Sequence, residues 1–199
     1  MIKRNVLDKG WVQLEEMMGG DNACVTAARI CYQSEGGSPE ADKKLINRLI
    51  KAHHNTPFEH AVFRFRVKAP IFVTRQLMRH RLCSFCEKSL RYCVADREYY
   101  TPANIDTDDY REHMERSFDV YESLVNSGWK REQARGILGT CVYTEFVWTI
   151  NAWSLINWMH KRCNKAAQWE HRQYALAVLE MFKEVMPITA EAFEKHILQ

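Results

Sequence analysis

The segment RHRLCSFCEKSLRY, at residues 79–92, has the composition of an anion-binding site. Arginine guanidinium groups match the oxygens of a phosphate, and a loop of this kind could add backbone N–H donors and a hydroxyl group. Glu87 would be ionised in this basic setting and could accept a hydrogen bond from a ligand. The same charges could also form a solvated surface loop, so both interpretations stay open on the residues alone. The basic and hydroxyl side chains concerned are Arg79, Arg81, Lys88, Ser89 and Arg91.

Cys83 and Cys86 form a C-x-x-C pair within this segment, and such pairs can bind zinc or exchange disulfides. A structural zinc site needs four ligands, and the sequence contains no second pair. His80 lies between two arginines, which disfavours a cation. A redox pair usually begins a helix after a strand, whereas this pair is expected to follow a helix. Anion binding therefore explains the segment better, and we expect no metal site.

The composition limits the classes of function. A chain of 199 residues with 46% hydrophobic residues is expected to form one domain with a real core. The net charge of +3 is too small to indicate general nucleic-acid binding. No apolar run approaches the roughly 20 residues of a membrane helix, and none resembles a signal peptide. We therefore expect no nucleic-acid or membrane partner, a cytoplasmic location, and free thiols at the seven cysteines.

Hydrophobic periodicity and capping residues predict a helix-rich, mixed α/β fold. Short helices are predicted at 22–33 and from Ser38-Pro39 to the region of His53 and His54, since serine followed by proline is a typical helix start. Alternation of apolar residues with arginines predicts a strand at 61–67. Pro70 is expected to begin a helix that carries Gln76, Arg79, His80 and Arg81 at its C-terminal end. A polar loop is expected from there to about residue 109.

The second half of the chain is predicted to contain further helices and one strand. A helix over 109–126 is expected to end near Gly128, and a short helix is expected at 131–138. Residues 141–150 are β-branched and aromatic, which indicates a strand, and Asn151 could cap the helix that follows. Two final helices are separated at Pro187. We expect the tryptophans of this half to lie in the core or at a subunit interface rather than to stack on ligands; they are Trp148, Trp153, Trp158 and Trp169.

Several motifs in order resemble the flavin-dependent thymidylate synthase family. The signature of that family is RHR, seven residues, then serine, and the other matching segments extend the likeness over residues 25–185. The matching segments are TPFEH at 56–60, KAPIFV with Arg75-Gln76 at 68–76, RHR with Ser89, E-x-S-x-R-Y at 87–92, and AQWEHR at 167–172.

The resemblance implies a fold, a reaction and an assembly. The family has a mixed α/β fold with a small, largely antiparallel sheet, and it makes dTMP from dUMP. Its carbon donor is methylenetetrahydrofolate, and FAD that has been reduced by NADPH supplies a hydride. Family members are homotetramers in which each active site draws on several subunits. The likeness therefore implies FAD as cofactor, with dUMP, folate and NADPH as small-molecule partners.

The resemblance also implies roles for residues at matching positions. Arg172 would be the catalytic residue, because a cation facing the uracil ring favours negative charge on it. The implied FAD contacts are Cys31, His54, Thr56, Glu59, Arg79, His80, Arg81, Glu87, His160 and Arg162. The implied dUMP contacts are Gln76, Arg79, Glu87, Lys88, Ser89, Leu90, Arg91 and Arg172, with Lys88 and Leu90 contributing backbone groups.

Five residues depart from the usual pattern of the family. Glu145 stands where an arginine commonly binds the nucleotide phosphate, and a carboxylate there would repel phosphate unless it points away. Two alternative functions therefore stay open: a related flavin enzyme that modifies another pyrimidine nucleotide, and a non-catalytic FAD- or nucleotide-binding module. The other departures are Cys31, Cys86, Trp153 and His160.

Overall fold

A five-stranded antiparallel sheet forms the centre of the fold, with strand order β1-β2-β3-β5-β4. The computed structural model describes residues 1–31, 33, 37–103 and 107–198. The strands are β1 (Ile2–Val6), β2 (Gly10–Met18), β3 (Val62–Pro70), β4 (Cys83–Glu87) and β5 (Tyr143–Asn151). The helices are α1 (Asp21–Ile30), α2 (Pro39–Lys51), α3 (Ile71–Leu77), α4 (Asp108–Asn126), α5 (Arg131–Ala134), α6 (Ala152–Arg162), α7 (Trp169–Val185) and α8 (Pro187–His196). Two 3-10 helices lie at Thr56–His60 and Arg135–Ile137. The expected mixed α/β fold with a small antiparallel sheet is confirmed.

The local signals that rest on caps and alternation are confirmed. Ser38 caps α2 and its hydroxyl accepts a hydrogen bond from Ala41 N at 3.3 Å. Asn151 caps α6 through a bond from Ser154 N to its side-chain oxygen at 2.8 Å. In β3, buried phenylalanines alternate with exposed Arg64 and Arg66. The capping side chains of Ser38 and Asn151 and the two-residue alternation in β3 act on their own segments, so they determine local structure with little help from the rest of the chain.

Two expectations around the RHR segment are wrong. Helix α3 ends at Leu77, so residues 79–81 lie beyond the helix rather than on its last turn. The expected loop after residue 81 contains strand β4, which pairs with β5 at the edge of the sheet. Leu82 links the two elements with a left-handed backbone, φ 66°, which turns the chain into the strand. The first hairpin, β1–β2, was also not predicted from the sequence.

One face of the sheet packs against the helices, and this packing forms the main core. Trp148 and Trp158 are fully buried there with ring centroids 5.0 Å apart, which confirms them as core residues. Trp153 is half-buried against Phe58, whereas Trp169 is 55% exposed. The opposite face of β3 carries the exposed arginines. Among the described residues, no helix is long and apolar enough to span a membrane.

The first N–H groups of helix α3 donate to the segment just before β5 and hold the helix beside that strand. The first N–H groups of a helix have no partner within it. In α3, Ile71 N donates to Val142 O and Phe72 N to Thr140 O, both at 3.0 Å. Thr74 returns a bond from its hydroxyl to Pro70 O at 3.2 Å. Since the end of β4 pairs with the start of β5, these contacts bring the start of α3 and the end of β4 to the same side of the molecule.

Candidate functional site

The RHR segment presents two arginines outward and its histidine inward. Arg79 and Arg81 are exposed, and neither has an ion-pair partner within the described ranges. His80 is half-buried, and its Nε2 accepts a hydrogen bond from Arg162 Nε at 2.9 Å. His80 must therefore carry its own hydrogen on Nδ1. The turn thus joins the two predicted flavin residues His80 and Arg162 and leaves two guanidinium groups free for an anion.

His80 is held in its neutral form. Burial, together with the positive charges of Arg162 and Lys161, lowers the pKa of its imidazole to about 4. At neutral pH the ring can therefore accept the bond from Arg162 without competing protonation. His80 orients Arg162 rather than adding a third positive charge to the segment.

The end of β4 leads into a tight turn at Ser89. Ser89 O accepts bonds from Tyr92 N and Cys93 N at 3.0 Å, and Ser89 Oγ accepts one from Arg91 N at 3.3 Å. Arg91 itself pairs with Glu132, 2.7 Å from Nε to Oε2. The turn therefore holds the serine in place, while the predicted nucleotide residue Arg91 has its charge occupied within this chain.

Glu87 and Lys88 are also fixed by neighbours. The Thr144 hydroxyl donates to Glu87 Oε1 at 2.8 Å. Lys88 N donates to Glu145 O at 2.8 Å, and Lys88 Nζ pairs with Asp96 at 2.5 Å. The hydrogen bond that Lys88 donates to Asp96 raises the pKa of the Lys88 ammonium, so it stays charged. The sheet therefore fixes the backbone at Lys88, and Glu145 O occupies the Lys88 N–H.

A cavity of about 500 Å³ brings four of the predicted nucleotide residues together. They are joined by Arg75 from the outer side of α3 and by Arg135 from the second 3-10 helix, two arginines that were not among the predicted site residues. Neither arginine has an ion-pair partner in the part of the chain that the structure describes. Arg75 belongs to the family-like segment at 68–76, whereas nothing near Arg135 in the sequence marks it. The lining includes Arg75, Glu87, Lys88, Ser89, Leu90, Arg135 and Thr144.

Glu145 points away from this cavity. It is paired with Arg66 on the outer face of the sheet, 3.0 Å from Nη2 to Oε2, and it does not line the cavity. Its partner in the β3–β5 register is Lys68 on β3, which adds a second positive charge beside it. The negative charge that would repel a phosphate is therefore turned outward and neutralised.

Arg172 lies in a different cavity, of about 540 Å³, which His160 also lines. Its Nε donates to Cys163 O at 3.0 Å, at the C-terminal end of α6. Cys163 is buried, and burial raises the pKa of its thiol to about 11. Within one chain, the structure does not bring Arg172 and His160 to the cavity that contains Ser89.

The remaining predicted flavin residues lie around the first 3-10 helix. His54, Thr56 and Glu59 are exposed there. Helix α1 packs against this 3-10 helix, and exposed Cys31 lies at the end of α1. His54, Thr56 and Glu59 thus form a polar surface around this 3-10 helix, and Cys31 lies at the opposite end of α1 from Gly20.

The C-x-x-C pair has the wrong geometry for a shared ligand. Cys83 and Cys86 lie three residues apart on a strand, and successive side chains of a strand point to opposite faces. Cys83 is accordingly half-buried and donates to His80 O at 3.0 Å, whereas Cys86 is exposed. The two sulfurs cannot bind one ion together or form a disulfide with each other.

Gln76 is the predicted nucleotide residue with the most defined surroundings. Its side-chain oxygen lies 3.3 Å from His171 Nδ1, and its amide nitrogen donates to Gln168. His171 is fully buried, and its other ring nitrogen contacts the Trp158 indole. His171 was not among the predicted site residues, although it lies within the AQWEHR motif.

Comparison with known proteins matches the chain to one family. The family model described as "Thymidylate synthase complementing protein" matches residues 13–188. The chain belongs to this family. The flavin-dependent thymidylate synthase of Thermosipho africanus is 45% identical to this chain, over 98% of this chain and 95% of that protein. The flavin-dependent thymidylate synthase of Thermus thermophilus is 39% identical, over 98% of this chain and 79% of that protein.

Solved structures of another enzyme share the fold of this family member. The UMP/dUMP methylase PolB from Streptomyces cacaoi, bound with 5-Br dUMP, has a TM-score of 0.89 and 28% identity, covering 98% of this chain and 99% of that chain. The same methylase bound with 5-Br UMP has a TM-score of 0.86 and 30% identity, over 98% and 97%.

The donor set around the RHR segment fits a flavin nucleotide. FAD carries a diphosphate, which guanidinium groups bind well, and Arg79 and Arg81 are exposed without carboxylate partners among the described residues. The family member therefore has guanidinium groups that suit the diphosphate of such a cofactor.

Proposed function

We propose that this protein is a flavin-dependent thymidylate synthase that methylates dUMP to dTMP. The cavity that joins Ser89, Glu87 and Lys88 to two arginines without ion-pair partners among the described residues carries the proposal. A nucleoside monophosphate needs cationic groups that bind its phosphate and polar groups that bind its base. The names of the relatives and the two methylase structures support the reaction. The family motifs support FAD, with NADPH as reductant and methylenetetrahydrofolate as carbon donor.

In this proposal Arg75 and Arg135 hold the nucleotide phosphate. Both line the cavity, and neither has an ion-pair partner in the described ranges, so both can give charge-assisted bonds. They take the place of the arginine that the family commonly has at position 145. Ser89 contributes a hydroxyl, and Lys88 and Leu90 contribute backbone groups. Glu87, oriented by Thr144, can accept a hydrogen bond from the base or sugar.

The flavin site is proposed around the RHR turn and the first 3-10 helix. Arg79 and Arg81 would hold the diphosphate, and Arg162 would be held toward it by neutral His80. The exposed side chains of Cys31, His54, Thr56, Glu59 and His160 would contact the rest of the cofactor. When bound and reduced by NADPH, the flavin supplies the hydride that completes the methyl group.

Arg172 is proposed to act on a nucleotide that another subunit binds. It lies in a separate cavity from Ser89, which is consistent with a homotetramer whose active sites are shared between subunits. Its guanidinium, anchored by Cys163 O, would favour negative charge on the uracil ring. Arg172→Ala should abolish dTMP formation while FAD stays bound. Undiminished turnover by this variant would contradict the role.

A second candidate is methylation of UMP as well as dUMP. The solved methylase with a TM-score of 0.86 is described as bound with 5-Br UMP, and its fold matches nearly the whole chain. The two candidates differ only in whether the site accepts a 2′-hydroxyl. Competition between UMP and dUMP for the purified protein distinguishes them: equal affinities favour the broader substrate class, and a preference for dUMP favours thymidylate synthesis alone.

Flavin spectroscopy tests the proposal before any product is measured. The purified protein should bind FAD, and NADPH should bleach its absorbance band without oxygen. Addition of dUMP should then perturb the spectrum of the bound flavin. Failure to bind FAD would overturn the flavin enzyme altogether. FAD and nucleotide binding without any reduction or turnover would instead indicate a non-catalytic binding module.

A further inference from the structure

A chain of hydrogen bonds runs from the core to the predicted nucleotide residue Gln76. The Trp158 indole N–H donates to His171 Nε2 at 3.1 Å. His171 Nδ1 lies 3.3 Å from Gln76 Oε1. The Gln76 amide nitrogen then donates to Gln168 Oε1. Trp158 and His171 are fully buried, whereas Gln76 is half-buried and Gln168 is exposed, so the chain leads outward from the core.

The indole determines which hydrogen His171 carries. An indole N–H can only donate, so the ring nitrogen that it meets, Nε2, must be an acceptor without hydrogen. A neutral imidazole then carries its hydrogen on Nδ1. Burial, together with Arg162 and His80, lowers the pKa of His171 to about 3, so the ring stays neutral. Nδ1–H must therefore donate to Gln76.

This tautomer in turn fixes the amide of Gln76. Only the side-chain oxygen of Gln76 can accept from Nδ1–H, so the oxygen faces the core and the NH2 group faces outward. A flipped amide would place two donors against each other and leave a buried donor unsatisfied. One N–H of Gln76 reaches Gln168, and the other has no acceptor in the part of the chain that the structure describes.

We propose that His171 is a positioning residue that presents the Gln76 amide as a hydrogen-bond donor, so that Gln76 recognises an acceptor oxygen of the nucleotide. This inference rests on the proposed function, because it assigns Gln76 to the dUMP site. The acceptor is a carbonyl of the uracil ring or an oxygen of the phosphate. An amide free to rotate would accept from an amino group as readily as it donates to a carbonyl, so a fixed amide adds discrimination.

Four variants separate this role from mere packing. His171→Leu fills the buried space but removes both ring nitrogens. His171→Asn keeps an amide N–H close to the position of Nδ1 and should rescue much of the loss. Trp158→Phe removes the donor that sets the tautomer. Trp148→Phe is the matched control, because Trp148 is an equally buried indole whose N–H is not part of this chain of bonds.

The assay is calorimetric binding of dUMP, dCMP and deoxyuridine to the FAD-loaded protein. A neutral hydrogen bond predicts a rise in Kd of roughly 2- to 12-fold in His171→Leu, a smaller rise in Trp158→Phe, and none in Trp148→Phe. If Gln76 meets the C4 carbonyl of uracil, binding of dUMP and deoxyuridine weakens equally and the preference for dUMP over dCMP falls. If it meets the C2 carbonyl, which cytosine shares, binding of all three ligands weakens equally. If it meets the phosphate, binding of dUMP and dCMP weakens and binding of deoxyuridine does not. Each of these patterns supports the proposal.

A double-mutant cycle tests whether His171 acts through Gln76. In a Gln76→Ala background, His171→Leu should cause no further loss of dUMP affinity. ¹⁵N NMR of the wild-type protein should show His171 protonated at Nδ1 and not at Nε2 between pH 5 and 9.

Three outcomes would overturn the role of His171: additive effects in the cycle, the opposite tautomer, or unchanged dUMP affinity in His171→Leu when the wild type binds dUMP. Absence of dUMP binding by the wild type would instead overturn the proposed function itself.

Discussion

Replacing Arg135 with alanine should weaken dUMP binding without weakening the fold. Arg135 lines the cavity of about 500 Å³ next to Ser89, and it has no ion-pair partner among the described residues. Its removal therefore breaks no intramolecular ion pair, and the change in the free energy of unfolding should stay within about 0.5 kcal/mol, as for most surface substitutions.

The magnitude of the binding loss follows from the bond that Arg135 is proposed to make. A hydrogen bond to a charged group contributes about 1.5–3 kcal/mol, and about 1.4 kcal/mol corresponds to a tenfold change in Kd. Arg135 is exposed in the single chain, so screening by solvent and salt favours the lower end of this range. We therefore expect the Kd for dUMP to rise roughly tenfold in Arg135→Ala at low salt, and less at high salt.

Isothermal titration calorimetry with dUMP and deoxyuridine measures this effect. Deoxyuridine lacks the phosphate, so Arg135→Ala should leave its Kd unchanged. Arg131→Ala is the matched control, because Arg131 lies four residues earlier, donates to Tyr92 O at 3.1 Å and is absent from the cavity lining. Equal losses for Arg131→Ala and Arg135→Ala, or equal losses for dUMP and deoxyuridine, would refute the assignment of Arg135 to the phosphate.

Three further predictions concern residues other than the two arginines proposed to bind the phosphate. Glu145→Gln should leave dUMP affinity unchanged and lower the free energy of unfolding by at most about 1 kcal/mol, because Glu145 forms a surface ion pair with Arg66. Clearly tighter dUMP binding by this variant would show that the Glu145 carboxylate faces the nucleotide. The free energy of unfolding should fall as pH drops from about 6.5 toward 3. In this range His171 takes up a proton in the unfolded chain, whereas in the folded protein it is buried, has a pKa of about 3 and stays neutral. The slope from this residue is at most about 1.4 kcal/mol per pH unit, and His171→Asn should flatten it in urea titrations at several pH values; an unchanged slope would mean that His171 is protonated in the native protein. Mild oxidation should produce no disulfide between Cys83 and Cys86, and peptide mass spectrometry that found one would contradict their placement on opposite faces of β4.

Much of the fold could be predicted because its signals are local. The alternation in β3, the cap at Ser38 and the cap at Asn151 each depend on a few neighbouring residues, and the structure confirms them. Strand β4 was not predicted because its alternating residues are Cys83 and Phe85 against serine and cysteine, a weak hydrophobic contrast. Its strand conformation comes from pairing with β5, which a local pattern does not show.

The candidate site was predicted where motifs mark it and missed where only packing assembles it. Ser89 and its neighbours belong to recognisable segments, and the structure brings them into one cavity. Arg135 reaches that cavity from more than 40 residues further along the chain, so no local signal indicates it. The direction of Glu145 depends on the register between β3 and β5, which places it beside positive side chains. The tautomer of His171 depends on the indole above it, which only the folded core supplies.

Release of tritium from dUMP labelled at C5, measured together with dTMP formation, tests most directly whether this chain methylates dUMP. The purified protein, loaded with FAD and supplied with methylenetetrahydrofolate and NADPH without oxygen, should release tritium and form dTMP in equal amounts. Omission of FAD, or the Arg172→Ala substitution, should stop both. Flavin that NADPH reduces without tritium release or dTMP formation would contradict the proposed reaction.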